Sequence, residues 1–127
     1  FIKPDVWEYQ IEAEFIHEFI NNSSKGFAYS PIIASGQDNN VLHYVKNNKQ
    51  CKDGDLILMD VGAEYGNYSS DMTRTIPVSG RFSKRQKEVY NSVLRVKNEA
   101  TKLLKIGNNW KSEVKLVMFF KIIEGGL

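Results

Sequence analysis

The sequence predicts an α+β domain in which helices cover one face of an antiparallel sheet. Three observations carry that prediction. Apolar stripes at helical spacing lie near the start and in the last third of the chain, short β-rich runs fill the middle, and the two longest runs flank a turn containing Gly66 and Asn67. With 127 residues, 42% hydrophobic and 25% charged, the chain has the size and composition of one domain able to bury its own core.

Each element has a local cause. Pro4-Asp5-Val6-Trp7-Glu8 reads as a helix start, with Asp5 as N-cap and Glu8 completing a capping box. The helix is expected to run to about Asn21, because Ile11, Phe15, Ile16, Phe19 and Ile20 recur at three and four. His17 falls beside that stripe and reads as a packed or half-exposed side chain. Gly26 to Ser35 reads as extended, with Pro31 marking a bulge or edge. Val41-Leu42-His43-Tyr44 reads as a second short strand, followed by a polar connection from Val45 to Gly54. After the hairpin, Ser83 and Gln86 form a capping box. They open a long helix with the stripe Val89, Val93, Val96, Ala100, Leu103 and Leu104 and with Gly107 as its C-cap. A last helix is expected from Asn109 or Trp110 to Glu124.

The middle hairpin is the most informative stretch. Leu56-Ile57-Leu58-Met59-Asp60-Val61 is an apolar strand, and Tyr68 to Pro77 is a second extended run. If Tyr65 and Gly66 form the two-residue loop, Asp60 faces Asp71 across the ladder. Two carboxylates about 4 Å apart repel by about 4 kcal/mol at an effective dielectric near 20. A shared cation or a retained proton relieves that repulsion, and the cation is the reading taken here. A wet hairpin face with two solvated aspartates is the alternative.

Composition excludes several classes. A net charge of +2 with scattered Lys and Arg gives no nucleic-acid footprint, and no apolar run approaches the ~20 residues that a membrane span needs. Cys51 is the single cysteine, so an intrachain disulfide is impossible and a cytoplasmic setting is expected. The chain opens on Phe1 with neither an initiator Met nor a signal-peptide pattern, as an excerpt would.

Three stretches taken together resemble the catalytic domain of the pita-bread metallopeptidases, most of all the Xaa-Pro aminopeptidase (aminopeptidase P) branch. They are Gly26-Phe27-Ala28-Tyr29-Ser30-Pro31-Ile32-Ile33-Ala34-Ser35-Gly36, then Val41-Leu42-His43-Tyr44, then Asp60-Val61-Gly62-Ala63-Glu64-Tyr65-Gly66-Asn67-Tyr68 with Ser70-Asp71-Met72-Thr73-Arg74-Thr75. The similarity runs from about residue 3 to residue 107, with His43 seventeen positions before Asp60 and Asp71 eleven after it.

The resemblance implies that residues 1–127 are the N-terminal half of a metallopeptidase catalytic domain, one that removes an N-terminal residue from peptides with proline second. It implies two divalent ions, most of all Mn²⁺, with Co²⁺ or Zn²⁺ as alternatives. It assigns Asp60 and Asp71 as metal ligands, His43 to the substrate near the scissile bond, and Tyr29 to a place beside the metals. Hard divalent ions suit carboxylate oxygens, and an imidazole, whose ordinary pKa lies near neutrality, suits proton handling.

The match is partial. The family's site has five metal ligands, and the remaining histidine and two glutamates resemble nothing in this chain; Glu99, Glu113 and Glu124 lack the expected surroundings. Asn108 to Leu127 also departs from the family pattern. Two carboxylates bind a divalent ion weakly, so the isolated chain is expected to be inactive. A half-domain is also expected to expose apolar surface, which makes a homo-oligomer admissible. Prolidase, methionine aminopeptidase and a non-catalytic peptide-binding relative of the fold stay open as alternatives.

Overall fold

The structure is a computed structural model and describes residues 1–109; the expected last helix lies outside the described residues. The chain divides into two compact units, Phe1–Phe82 and Ser83–Leu127.

In the first unit, helix α1 (Glu8–Asn21) is followed by six strands: β1 (Gly26–Phe27), β2 (Ile32–Ser35), β3 (Leu56–Val61), β4 (Ala63–Tyr65), β5 (Tyr68–Ser69) and β6 (Met72–Pro77). A 3-10 helix (Gly36–Asn40) follows β2 directly. The strands form two antiparallel sheets of three, ordered β1-β4-β5 and β2-β3-β6. The stretch from Gly26 to Ser35 thus serves both sheets, with Pro31 in the gap between its two strands.

Alternation along β3 sorts its side chains. Ile57, Met59 and Val61 are buried, while Leu56, Leu58 and Asp60 are half-buried on the other face. The buried set joins Val6, Ile11, Ile33, Cys51 and Val78, and Phe15 and Phe27 pack against this core. Full burial of Ile33 and of Ile57 stabilises the fold by about 1.5–3 kcal/mol each. Cys51 is therefore a core residue rather than part of a polar turn. An edge-on contact between Phe19 and Phe27, with centroids 5.1 Å apart, ties the end of α1 to β1.

The start of α1 differs from expectation. Asp5 has φ 70 and caps nothing; Trp7 occupies the N-cap position, and its N–H donates to Gln10 Oε1 at 2.9 Å. Glu8 is drawn inward instead, fully buried, because its carboxylate finds four donors elsewhere. His17 is exposed, beside Asn21 and Glu18.

In the second unit, α2 (Lys84–Thr101) begins with the expected capping box. Gln86 N–H donates to Ser83 Oγ at 3.2 Å, and Ser83 N–H donates to Gln86 Oε1 at 2.8 Å. The helix ends at Thr101 with Lys102 as C-cap, so Gly107, at φ 97, belongs to a later turn.

Candidate metal and peptide site

The register of the long hairpin positions the acids. The two-residue loop is Gly66-Asn67, not Tyr65-Gly66, and both residues are left-handed, with φ 58 and 67. A tight hairpin of this kind needs positive φ at both central positions, which Gly and Asn supply and Tyr65 resists. Asn67 N–H also donates to Glu64 Oε1 at 2.7 Å. That requirement was present in the sequence and would have selected the right loop. Its consequence is a two-residue shift: Asp60 pairs with Thr73 on β6 and with Ile32 on β2, so it does not directly face Asp71.

The two acids meet nonetheless. Asp71 lies in the break between β5 and β6, and the hairpin pinches there: a Cβ built on Gly62 would overlap the Ser70 carbonyl oxygen and come within 2.8 Å of the Tyr29 ring. That close approach is possible only for glycine. Asp71 is two residues from Thr73, so strand alternation keeps it on the face of Asp60, diagonal to it. Tyr29 Oη lies 2.7 Å from Asp60 Oδ1 and 3.2 Å from Asp71 Oδ1. The two carboxylate oxygens are therefore within about 6 Å of each other, the sum of those two bonds.

A hydroxyl has one hydrogen and can serve one carboxylate fully at a time. Burial, followed by hydrogen bonding to Asp60, pushes the Tyr29 phenol well above its usual range, so it stays a donor. Asp60 is half-buried and Asp71 exposed, which leaves the pair open to solvent on one side.

His43 reaches the same region from a different kind of structure. Residues 41–44 do not form the expected strand; His43 is exposed with φ 53, in the left-handed region. It lines a cleft of about 270 Å³ together with Asp60, Thr73, Ile32 and Leu58. The sequence favoured a strand because Val, Leu and Tyr suit one. Side-chain bonds override that preference: Tyr44 Oη donates to Glu8 Oε2 at 2.8 Å, and Asn47 Oδ1 accepts from Ile33 N–H at 3.0 Å. Glu8, Ser35 and Asn47 were missed by sequence reasoning, since their partners are 14 to 41 residues away and no local pattern marks them.

The four predicted residues thus converge: Tyr29 joins Asp60 to Asp71, and His43 shares a cleft with Asp60. The donor set is hard oxygen, which fits a divalent ion such as Mn²⁺. It is also incomplete, since no group of three or more His, Cys, Asp or Glu suited to a metal occurs among the described residues.

Comparison with known proteins places this geometry in context. Residues 1–118 match metallopeptidase family M24. A Xaa-Pro aminopeptidase of Haemophilus influenzae is 41% identical over 109 residues, covering 86% of this chain and 25% of that protein. The Xaa-Pro aminopeptidase of Escherichia coli is 38% identical over 107 residues, covering 84% and 24%. Among solved structures, a variant of Escherichia coli aminopeptidase P in complex with substrate superposes with a TM-score of 0.93 at 34% identity, over 96% of this chain and 28% of that one. Pseudomonas aeruginosa aminopeptidase PepP gives 0.89 at 38% identity, over 99% and 29%. The chain spans about a quarter of the length of the curated relatives it matches.

Proposed function

Because the chain belongs to metallopeptidase family M24 and has the α+β pita-bread fold of aminopeptidase P, we propose that it supplies the N-terminal half of a catalytic domain that hydrolyses Xaa-Pro peptide bonds. The observation that carries this reading is the convergence of Asp60 and Asp71 on one tyrosine hydroxyl beside the cleft that holds His43. Asp60 and Asp71 are the metal ligands this half provides, with Mn²⁺ as the ion and Co²⁺ or Zn²⁺ as alternatives. When bound, paired divalent ions supply Lewis acidity that polarises the scissile carbonyl and acidifies a water molecule.

The chain's own residues do the rest of the work on this side. Tyr29 donates its hydroxyl hydrogen to the carboxylates and fixes their orientation. His43, exposed at the cleft, holds or moves a proton at the peptide near the scissile bond. The substrate is a peptide with proline second, and the remaining metal ligands come from a second half. The single, buried Cys51 fits a cytoplasmic setting.

The test uses the isolated chain and the full-length enzyme. The isolated chain shows no Xaa-Pro hydrolysis. In the full-length enzyme Asp60→Asn and Asp71→Asn each lower kcat/KM by about 10³-fold or more, with loss of bound metal. Release of N-terminal Met without a following proline would reject this assignment in favour of a methionine aminopeptidase. Strict preference for Xaa-Pro dipeptides over longer peptides would favour prolidase. Absence of further His and Glu ligands from the full-length protein would favour a non-catalytic peptide binder.

A further inference from the structure

We propose that Glu8 is a positioning residue for His43, acting through Tyr44 and Lys49 across the core; the functional weight of this rests on reading His43 as the group beside the peptide. Glu8 is fully buried, and each carboxylate oxygen accepts two hydrogen bonds. Oε1 takes Ser35 N–H at 2.8 Å and Ser35 Oγ–H at 2.7 Å. Oε2 takes Tyr44 Oη–H at 2.8 Å and Lys49 N–H at 2.9 Å.

The two oxygens therefore serve two different structures. Ser35 ends β2, whose Ile32 pairs with Asp60. Tyr44 and Lys49 belong to the irregular segment that carries His43. One carboxylate thus fixes the distance between the strand layer holding Asp60 and the loop holding His43. The group next to His43 in sequence is also its anchor, since Tyr44 alone is buried between residues 41 and 46.

His43 itself sits at φ 53, a conformation that a non-glycine residue keeps only where its surroundings over-determine it. No sheet ladder does so here, because the segment pairs with the rest of the unit only at the Trp7 to Gln50 bridge. At the Lys49 end the segment is also held by the main-chain bond from Glu8 N–H to the Lys49 carbonyl at 2.9 Å and by the Lys49–Asp38 ion pair at 3.2 Å. At the His43 end the Glu8–Tyr44 bond supplies the constraint, and Asn47 reinforces it by donating to Glu12 Oε2 at 2.9 Å and to the Pro31 carbonyl at 3.0 Å. Burial alone would favour an apolar side chain at this position. A carboxylate with four donors costs desolvation and returns a single fixed geometry.

The chain has two histidines, so imidazole signals in labelled protein report on His43 with exposed His17 as an internal reference. In Glu8→Gln the His43 signals shift by more than a line width and split or broaden. Tyr44→Phe gives a smaller shift in the same nuclei, and His17 stays put in both. Val78→Ala, which opens the core elsewhere, lowers the denaturation midpoint without moving His43. A fall in stability with His43 unmoved in both Glu8→Gln and Tyr44→Phe overturns the proposal; if Glu8→Gln does not fold, Tyr44→Phe decides. In the full-length enzyme Glu8→Gln lowers kcat by about tenfold or more with KM little changed, and costs nothing further in a His43→Ala background. An equal loss in that background also overturns it. If His43→Ala leaves hydrolysis intact while the spectral shifts persist, the role given to His43 fails and its placement by Glu8 stands.

Discussion

The hairpin that carries Asp60 and Asp71 is held by main-chain pairing from Leu56–Pro77 to Tyr65–Tyr68, with one interruption at Gly62, whereas residues 41–48, which carry His43, are held by the side chains of Glu8, Tyr44 and Asn47, with main-chain pairing only beyond them, at the Trp7–Gln50 bridge. Both regions end at one cleft. Main-chain pairing is indifferent to most side chains, so the hairpin tolerates substitution on its exposed face outside its turn and its pinch point, but not at its core positions Ile57, Met59 and Val61. A side-chain network concentrates the same task in a few buried atoms, and losing one leaves several donors without acceptors.

That contrast can be broken at Glu8 first. Glu8→Ala strands four donors in the core and costs about 3 kcal/mol or more. Hydrogen exchange is expected to show amide protection lost in residues 41–50 while β3 keeps it; uniform loss across both regions would mean that they are one cooperative unit. The hairpin has its own weak point of nearly equal size. Gly62→Ala drives a methyl group into the Ser70 carbonyl and costs about 1–3 kcal/mol, with changed amide shifts in β5 and the start of β6 but not in residues 41–50.

A core substitution away from both contacts sharpens the comparison. Ile57→Val removes one methyl group from a fully buried side chain, costs about 0.5–1.5 kcal/mol in denaturant unfolding, and leaves both regions equally protected relative to one another. The smallest effect belongs to pH. Burial, then the hydrogen bond to Glu8, raises the Tyr44 phenol above its ordinary value near 10. Folding therefore favours its protonated form, so the stabilisation is complete below that value and is lost as pH rises above it. Alkaline unfolding followed with wild type and Tyr44→Phe is expected to show a shallower decline in the variant, and parallel curves would remove Tyr44 from the account.

The hairpin and the Ser83–Gln86 box were legible because their causes are local: period-two alternation, a glycine turn, a capping pair three residues apart. The register differs by two positions from that of a Tyr65-Gly66 loop, because the requirement for two positive φ angles selects Gly66-Asn67. The strand expected at 41–44 and the cap expected at Asp5 failed for a different reason. Propensity at those positions yields to bonds made with residues far along the chain, and Glu8 illustrates both failures at once.

By itself the sequence determined most of the elements and the antiparallel class, because periodicity and turn chemistry are written in neighbouring residues, while the grouping of Asp60, Asp71, His43 and Tyr29 is what the family resemblance implies. Only the tertiary structure decided how Asp71 comes beside Asp60 without pairing with it, and what holds His43 in a loop at their cleft. Those outcomes depend on a tyrosine hydroxyl 31 and 42 residues from its two aspartates and on a carboxylate buried 36 residues before its tyrosine partner. Neither leaves a local trace, since each arises only when distant segments compete for the same space and the same hydrogen bonds.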